Sequence, residues 1–92
     1  MALSPEQMKA LEGQLRSGDA AGALAAAEAA LTQHPEGELH YFAAVAARYA
    51  GDFDRAQGHL DALKRLQPDF GRAYQEQGHL LRLRGDGAGA LA

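Results

Sequence analysis

The feature that most constrains this chain is a six-residue pattern that recurs three times in register. Gly51-Asp52-Phe53-Asp54-Arg55-Ala56 lies near the middle. Gly18-Asp19-Ala20-Ala21-Gly22-Ala23 lies 33 residues earlier and Gly85-Asp86-Gly87-Ala88-Gly89-Ala90 lies 34 residues later. Glycine can take the left-handed conformation that closes a helix. The aspartate after it can cap the next helix by accepting backbone N–H bonds. Each hexad therefore reads as a helix end followed at once by a helix start. Pro35 and Pro68 each follow their Gly-Asp pair at the same interval. A period near 34 residues is that of stacked helix–turn–helix units.

Taken in order, Ser4-Pro5-Glu6-Gln7 has the spacing of a capping box with proline at the first helical position. The pattern predicts a first helix over about Pro5 to Ser17, with Leu11 and Leu15 on its apolar stripe. A second runs from Asp19 to about Gln33, with Ala23, Leu24, Ala27, Ala30 and Leu31 inward. A third covers about Glu38 to Ala50. Leu39, Phe42, Ala43, Ala46 and Ala50 share one of its sides, and Tyr41, Val45, Arg48 and Tyr49 share another. The fourth, about Phe53 to Leu66, carries the stripe Phe53, Ala56, Leu60 and Leu63. The fifth is expected over about Phe70 to Arg84, and a short sixth after Gly85-Asp86. These elements group as repeats over about 4–36, 37–70 and 71–92, the last of them cut short. The expectation is a piece of a longer polypeptide, with Gly87 to Ala92 frayed and weak self-association through helix five.

Composition narrows the function classes. A single domain of 92 residues buries about 60–65% of its surface. With no cysteine there is no disulfide or thiolate metal site. A net charge of −3 and a pI near 5.7 argue against nucleic acid or an anionic membrane as the main partner. No apolar run reaches the ~18 residues of a membrane span, and the N-terminus has no signal-peptide pattern, so a cytoplasmic location is the simplest reading. The non-phenolic hydroxyls are Ser4, Ser17 and Thr32, and no motif sets a base beside them. His34, His40, His59 and His79 form no i,i+4 pair, so no metal site is expected. The glycines from Gly85 to Gly89 lack the Gly-Lys-Ser/Thr close of a phosphate loop. No cofactor and no catalysis are expected within this segment.

The repeat pattern resembles the tetratricopeptide repeat. Gly51, Phe53, Ala56 and Pro68 carry the likeness in the second repeat, and Tyr74, Gly78, Leu81, Gly85 and Ala90 in the third. The first repeat keeps Gly18, Ala23, Ala27 and Pro35. Gln7 and His40 stand where that family has an aromatic, and Ala44 fills the small position. The resemblance implies an all-α fold, a right-handed superhelical array of antiparallel helix hairpins (an α-solenoid) of about two and a half repeats. It implies a concave groove lined by the first helix of each hairpin. The contact positions fall on Tyr41, Val45, Arg48 and Tyr49, on Gln75, His79, Arg82 and Leu83, and on Met8, Glu12, Leu15 and Arg16.

Other roles compete for these residues. Arg16, Arg48 and Arg82 lie in last turns, where a cation complements the helix dipole. Tyr41 and Tyr49 suit packing between repeats as well as groove lining. The Lys/Asn set with which some family members hold a C-terminal carboxylate is missing from these positions. A narrower likeness, in Leu3-Ser4-Pro5-Glu6-Gln7 and in residues 67–79, is to the repeat region before the catalytic domain of bacterial repeat-containing sulfotransferases. The expected function is a protein–protein interaction scaffold holding a peptide or partner segment in the groove. The alternatives are a non-catalytic accessory module of a sulfotransferase and a homo-oligomerisation module.

Overall fold

The computed structural model describes residues 4–88 and contains five helices, with no strand among the described residues. They are α1 (Pro5–Arg16), α2 (Ala20–Leu31), α3 (Gly37–Tyr49), α4 (Phe53–Leu66) and α5 (Gly71–Ala88). Ser4 starts α1 with both halves of a capping box. Its hydroxyl accepts from the Gln7 N–H at 3.2 Å and its own N–H donates to Gln7 Oε1 at 3.0 Å.

The first two Gly-Asp pairs form the junctions that the sequence implies. Gly18 and Gly51 have φ of 97° and 81°. At the end of α1, the Gly18 N–H donates to Leu15 O and the Asp19 N–H to Gln14 O, both at 3.1 Å. At the end of α3, Gly51 donates to Arg48 O at 3.1 Å and Asp52 to Ala47 O at 2.9 Å. Each is a Schellman turn, which satisfies carbonyls that the helix end leaves open. Each aspartate then caps the next helix. Asp19 Oδ1 accepts from Gly22 at 3.0 Å, and Asp52 Oδ1 accepts from Arg55 at 3.2 Å. The hydrogen bond from the Gln14 amide and that from the Gly22 N–H hold the Asp19 carboxyl below its ordinary range.

The third Gly-Asp pair behaves differently, and the expected break is corrected. α5 continues through Gly85 and Asp86 to Ala88, so no sixth helix begins there. A left-handed turn at Gly18 or Gly51 is followed by a helix whose stripe returns to the core, Ala23 and Leu24 after the first, Ala56 and Leu60 after the second. After Gly85 a new helix would have to start over Gly87 and Gly89, whereas the first turns of α2 and α4 hold one glycine and none. Extending a helix already formed through Gly85, at a propensity cost of about 1 kcal/mol, is easier than nucleating another on two glycines. The rest of the expected sixth helix, at 89–92, lies outside the described residues.

α3 is the centre of the packing, in contact with α2, α4 and α5. It buries Leu39, Phe42, Ala43, Ala44, Ala46 and Ala47, which leaves little of its circumference to solvent. Alanine here lets neighbouring helices come close, while Leu39, Leu60, Leu63 and Leu80 supply the large fully buried side chains. Gly37 sits against α4. A Cβ there would meet the Gln67 side chain and come within 3.1 Å of Leu63 Cδ1, so this glycine permits close approach as well as a break.

Five expected core positions differ, with Leu15, Ala30, Leu31 and Phe53 only partly buried. Ala50 is exposed, because it is the C-cap of α3 where the chain turns away. Phe53 packs on the core only in part, because it stands at the first position of α4. The molecule measures 44 × 30 × 18 Å, and its thinnest dimension is close to two helix diameters.

Candidate functional site

The expected groove residues divide into three groups. The first surrounds an open, mainly apolar cleft of about 380 Å³ where α1 and α3 end. Leu15, Arg16, Gly18, Ala20 and Tyr49 line it. The Gly18 turn brings the start of α2 back beside the last turn of α1, so small residues form the floor. Tyr49 is 64% exposed, so its ring is open to a partner. The Arg48 guanidinium lies 4.7 Å from its centroid. Leu15 packs partly against the core and Arg16 is exposed. Three side chains from different positions of the sequence thus converge here.

The second group is taken up in structural contacts. Arg48 forms a two-pronged ion pair with Glu76 of α5, through Nε to Oε2 and through Nη2 to Oε1 at 3.2 Å. The two side chains are 17% and 3% exposed. Burial works against the Arg48 cation, but the hydrogen bond to Glu76 and its charge, with a contribution from Tyr49, hold it above its ordinary range. Arg48 therefore ties α3 to α5. Tyr41 is half-buried and meets Phe70 with centroids 5.6 Å apart. Arg72 lies 4.8 Å from both rings and pairs with Glu38 at 2.9 Å. Val45 is half-buried, and Met8 packs partly against the core.

The third group is exposed: Gln75, His79, Arg82 and Leu83 on α5, and Glu12 on α1. The structure does not bring these residues into the cleft at Tyr49.

Sequence reasoning missed two clusters of paired ionisable groups. Glu76 lies between Ala73 and Leu80 on the buried stripe of α5, and a carboxylate in that register is a signal for a buried partner. The other cluster joins α2, α3 and α4. His40 Nδ1 and His59 Nδ1 are 3.2 Å apart, and His59 Nε2 is 2.8 Å from Glu28 Oε2. Glu28 Oε1 also accepts from Arg55 at 2.8 Å. A search for i,i+4 spacing cannot find such a pair, because His40 and His59 come from different helices. Their one local sign is that each adjoins a fully buried leucine, Leu39 or Leu60. A polar clasp also links α4 to α5. Gln57 and Gln77 exchange amide hydrogen bonds at 2.8 and 2.7 Å, and Lys64 donates to Gln77 Oε1 at 2.7 Å.

The hydroxyls of Ser4, Ser17 and Thr32 are all engaged with helix backbone. Ser4 caps α1, Ser17 donates to Gln14 O at 2.8 Å, and Thr32 donates to Ala29 O at 2.7 Å. Among the described residues, no group of three or more His, Cys, Asp or Glu side chains could hold a metal ion. Among the same residues, no helix is long and apolar enough to cross a membrane. Comparisons with protein-family models, with curated proteins and with solved structures gave no match.

Proposed function

We propose that this chain is a protein-interaction module of the helical-repeat type, whose contact face is the cleft where α1 and α3 end. The observation that carries the reading is the cleft lined by Leu15, Arg16 and Tyr49. Tyrosine and arginine are enriched at binding hot spots, and an exposed ring that shares the cleft with the exposed Arg16 combines apolar area with donors. The cleft suits one large apolar side chain of a peptide with a carboxylate close to it. Support for an array of hairpins comes from the two Gly-Asp junctions, the contact of each helix with the next, and a thickness near two helix diameters.

The test is selection from a displayed library of random peptides, with the wild type and Tyr49→Ala screened in parallel. Tyr49 is exposed, so its removal should leave the fold intact. The proposal expects peptides enriched in an apolar residue next to Asp or Glu, with binding at least tenfold weaker on Tyr49→Ala. Equal binding by both proteins would remove the cleft from consideration.

A second reading is weak self-association through α5. Tyr74, Leu81 and Leu83 are 52%, 59% and 42% exposed, and Tyr74 and Leu81 share one face of the helix, where exposed apolar side chains favour contact. Sedimentation of the wild type against Leu81→Glu separates it from a monomeric module, since only the former would change with concentration.

A further inference from the structure

Among the described residues, the His40–His59 pair is the one place where two histidine rings face each other between helices. His59 contributes from α4, His40 from α3, and Glu28 reaches the pair from α2. The His59 side chain is 13% exposed and Glu28 30% exposed. On its outer side the pair borders an open cleft of about 500 Å³, lined also by Asp54, Arg55, Gly58 and Ala62, so water and protons reach it. The charged groups facing it are Glu28 on α2 and Asp54, Arg55 and Arg65 on α4.

Hydrogen-bond arithmetic restricts what the pair can hold. With both rings neutral, His59 Nε2–H donates to Glu28, which leaves His59 Nδ1 as an acceptor for His40 Nδ1–H. With one added proton, His59 donates from both nitrogens, to Glu28 and to His40, and His40 moves its proton to Nε2. Both states keep every contact. With two added protons, an N–H faces an N–H across 3.2 Å, between like charges, and neither can accept. The rings must then separate.

We propose that the His40–His59–Glu28 cluster is a proton-sensitive clasp between α2, α3 and α4, closed with up to one proton on the two rings and opened by the second. It stands apart from the binding role suggested for the Tyr49 cleft. Burial, the facing His59 and Arg65 all depress the affinity of His40 for a proton. A histidine that titrates lower when folded leaves the unfolded chain holding more protons. Stability is then full above the ordinary histidine range and falls as the pH drops through it. Carboxylates titrate mostly below that window, so the loss should appear before general acid unfolding.

The experiment is thermal unfolding of the wild type and His40→Asn from pH 7.5 to 5.0, with ¹⁵N NMR of the imidazole rings in the wild type. Asparagine places an amide near the Nδ1 position and does not titrate. The melting temperature of the wild type should fall by several degrees over this range, and that of His40→Asn should fall by less. In the folded wild type, the His40 ring should stay neutral to a lower pH than in the urea-unfolded chain. Equal pH slopes for the two proteins would overturn the clasp. If His40→Asn does not fold, the NMR titration decides alone, and a His40 ring that titrates alike in both states refutes the proposal.

Discussion

Removing one partner of the Arg48–Glu76 pair should cost much more than removing both. Glu76 is 3% exposed, so Arg48→Met would leave its carboxylate buried without a counter-ion. Breaking a buried pair in this way costs about 3–5 kcal/mol. The total stability of a 92-residue domain is about 5–14 kcal/mol, so the single change removes a large share of it. Glu76→Leu strands the Arg48 cation instead, but its 17% exposure lets it reach water, and the expected loss is about 1–3 kcal/mol. The double variant Arg48→Met/Glu76→Leu replaces the pair with apolar groups and should lie within about 1 kcal/mol of the wild type. The coupling energy is then about 3 kcal/mol or more. Urea unfolding followed by circular dichroism at constant slope measures all three variants. Single effects that simply add, or an Arg48→Met variant within about 0.5 kcal/mol of the wild type, would show that the two side chains do not act as a buried pair.

The same glycine motif should give opposite results at different sites. Gly51→Ala forces a Cβ into a left-handed turn and should cost about 1–2 kcal/mol, whereas Gly85→Ala within α5 should add about 0.5–1 kcal/mol, both read from urea midpoints. Leu60→Ala removes a fully buried side chain and should cost about 2–5 kcal/mol, and Phe53→Ala at a half-buried helix start should cost less by the same assay. His40→Asn should flatten the decline of the melting temperature from pH 7.5 to 5.0, as set out above.

Helix positions were legible because their signals are local. A glycine, an aspartate and a stripe at helical spacing are enough to place α1 to α4, and Leu60, Leu63, Ala23 and Ala27 are buried as their spacing implies. Gly85 shows where local signals stop. Its pair has the same two residues as Gly18-Asp19, but whether a glycine turns depends on the balance between extending one helix and starting another, which the pair alone does not set. The candidate site was legible only in part. Leu15, Arg16 and Tyr49 come together, while Arg48 and Tyr41 are held by Glu76 and Phe70. Those partners are 28 and 29 positions away along the chain, and helical periodicity carries no information about which side chains meet at such a separation. His40 and His59 escaped notice for the same reason.

The central functional claim is that a partner segment docks at the cleft between the ends of α1 and α3. The direct measurement is a ¹H–¹⁵N NMR titration of the wild type with a peptide from the library selection. The account predicts saturable shifts centred on Leu15, Arg16, Gly18 and Tyr49, with the amides of Leu60 and Leu63 at the core of α4 little changed. Shifts centred on α5 around Tyr74 and Leu81, with the cleft amides unmoved, would contradict it.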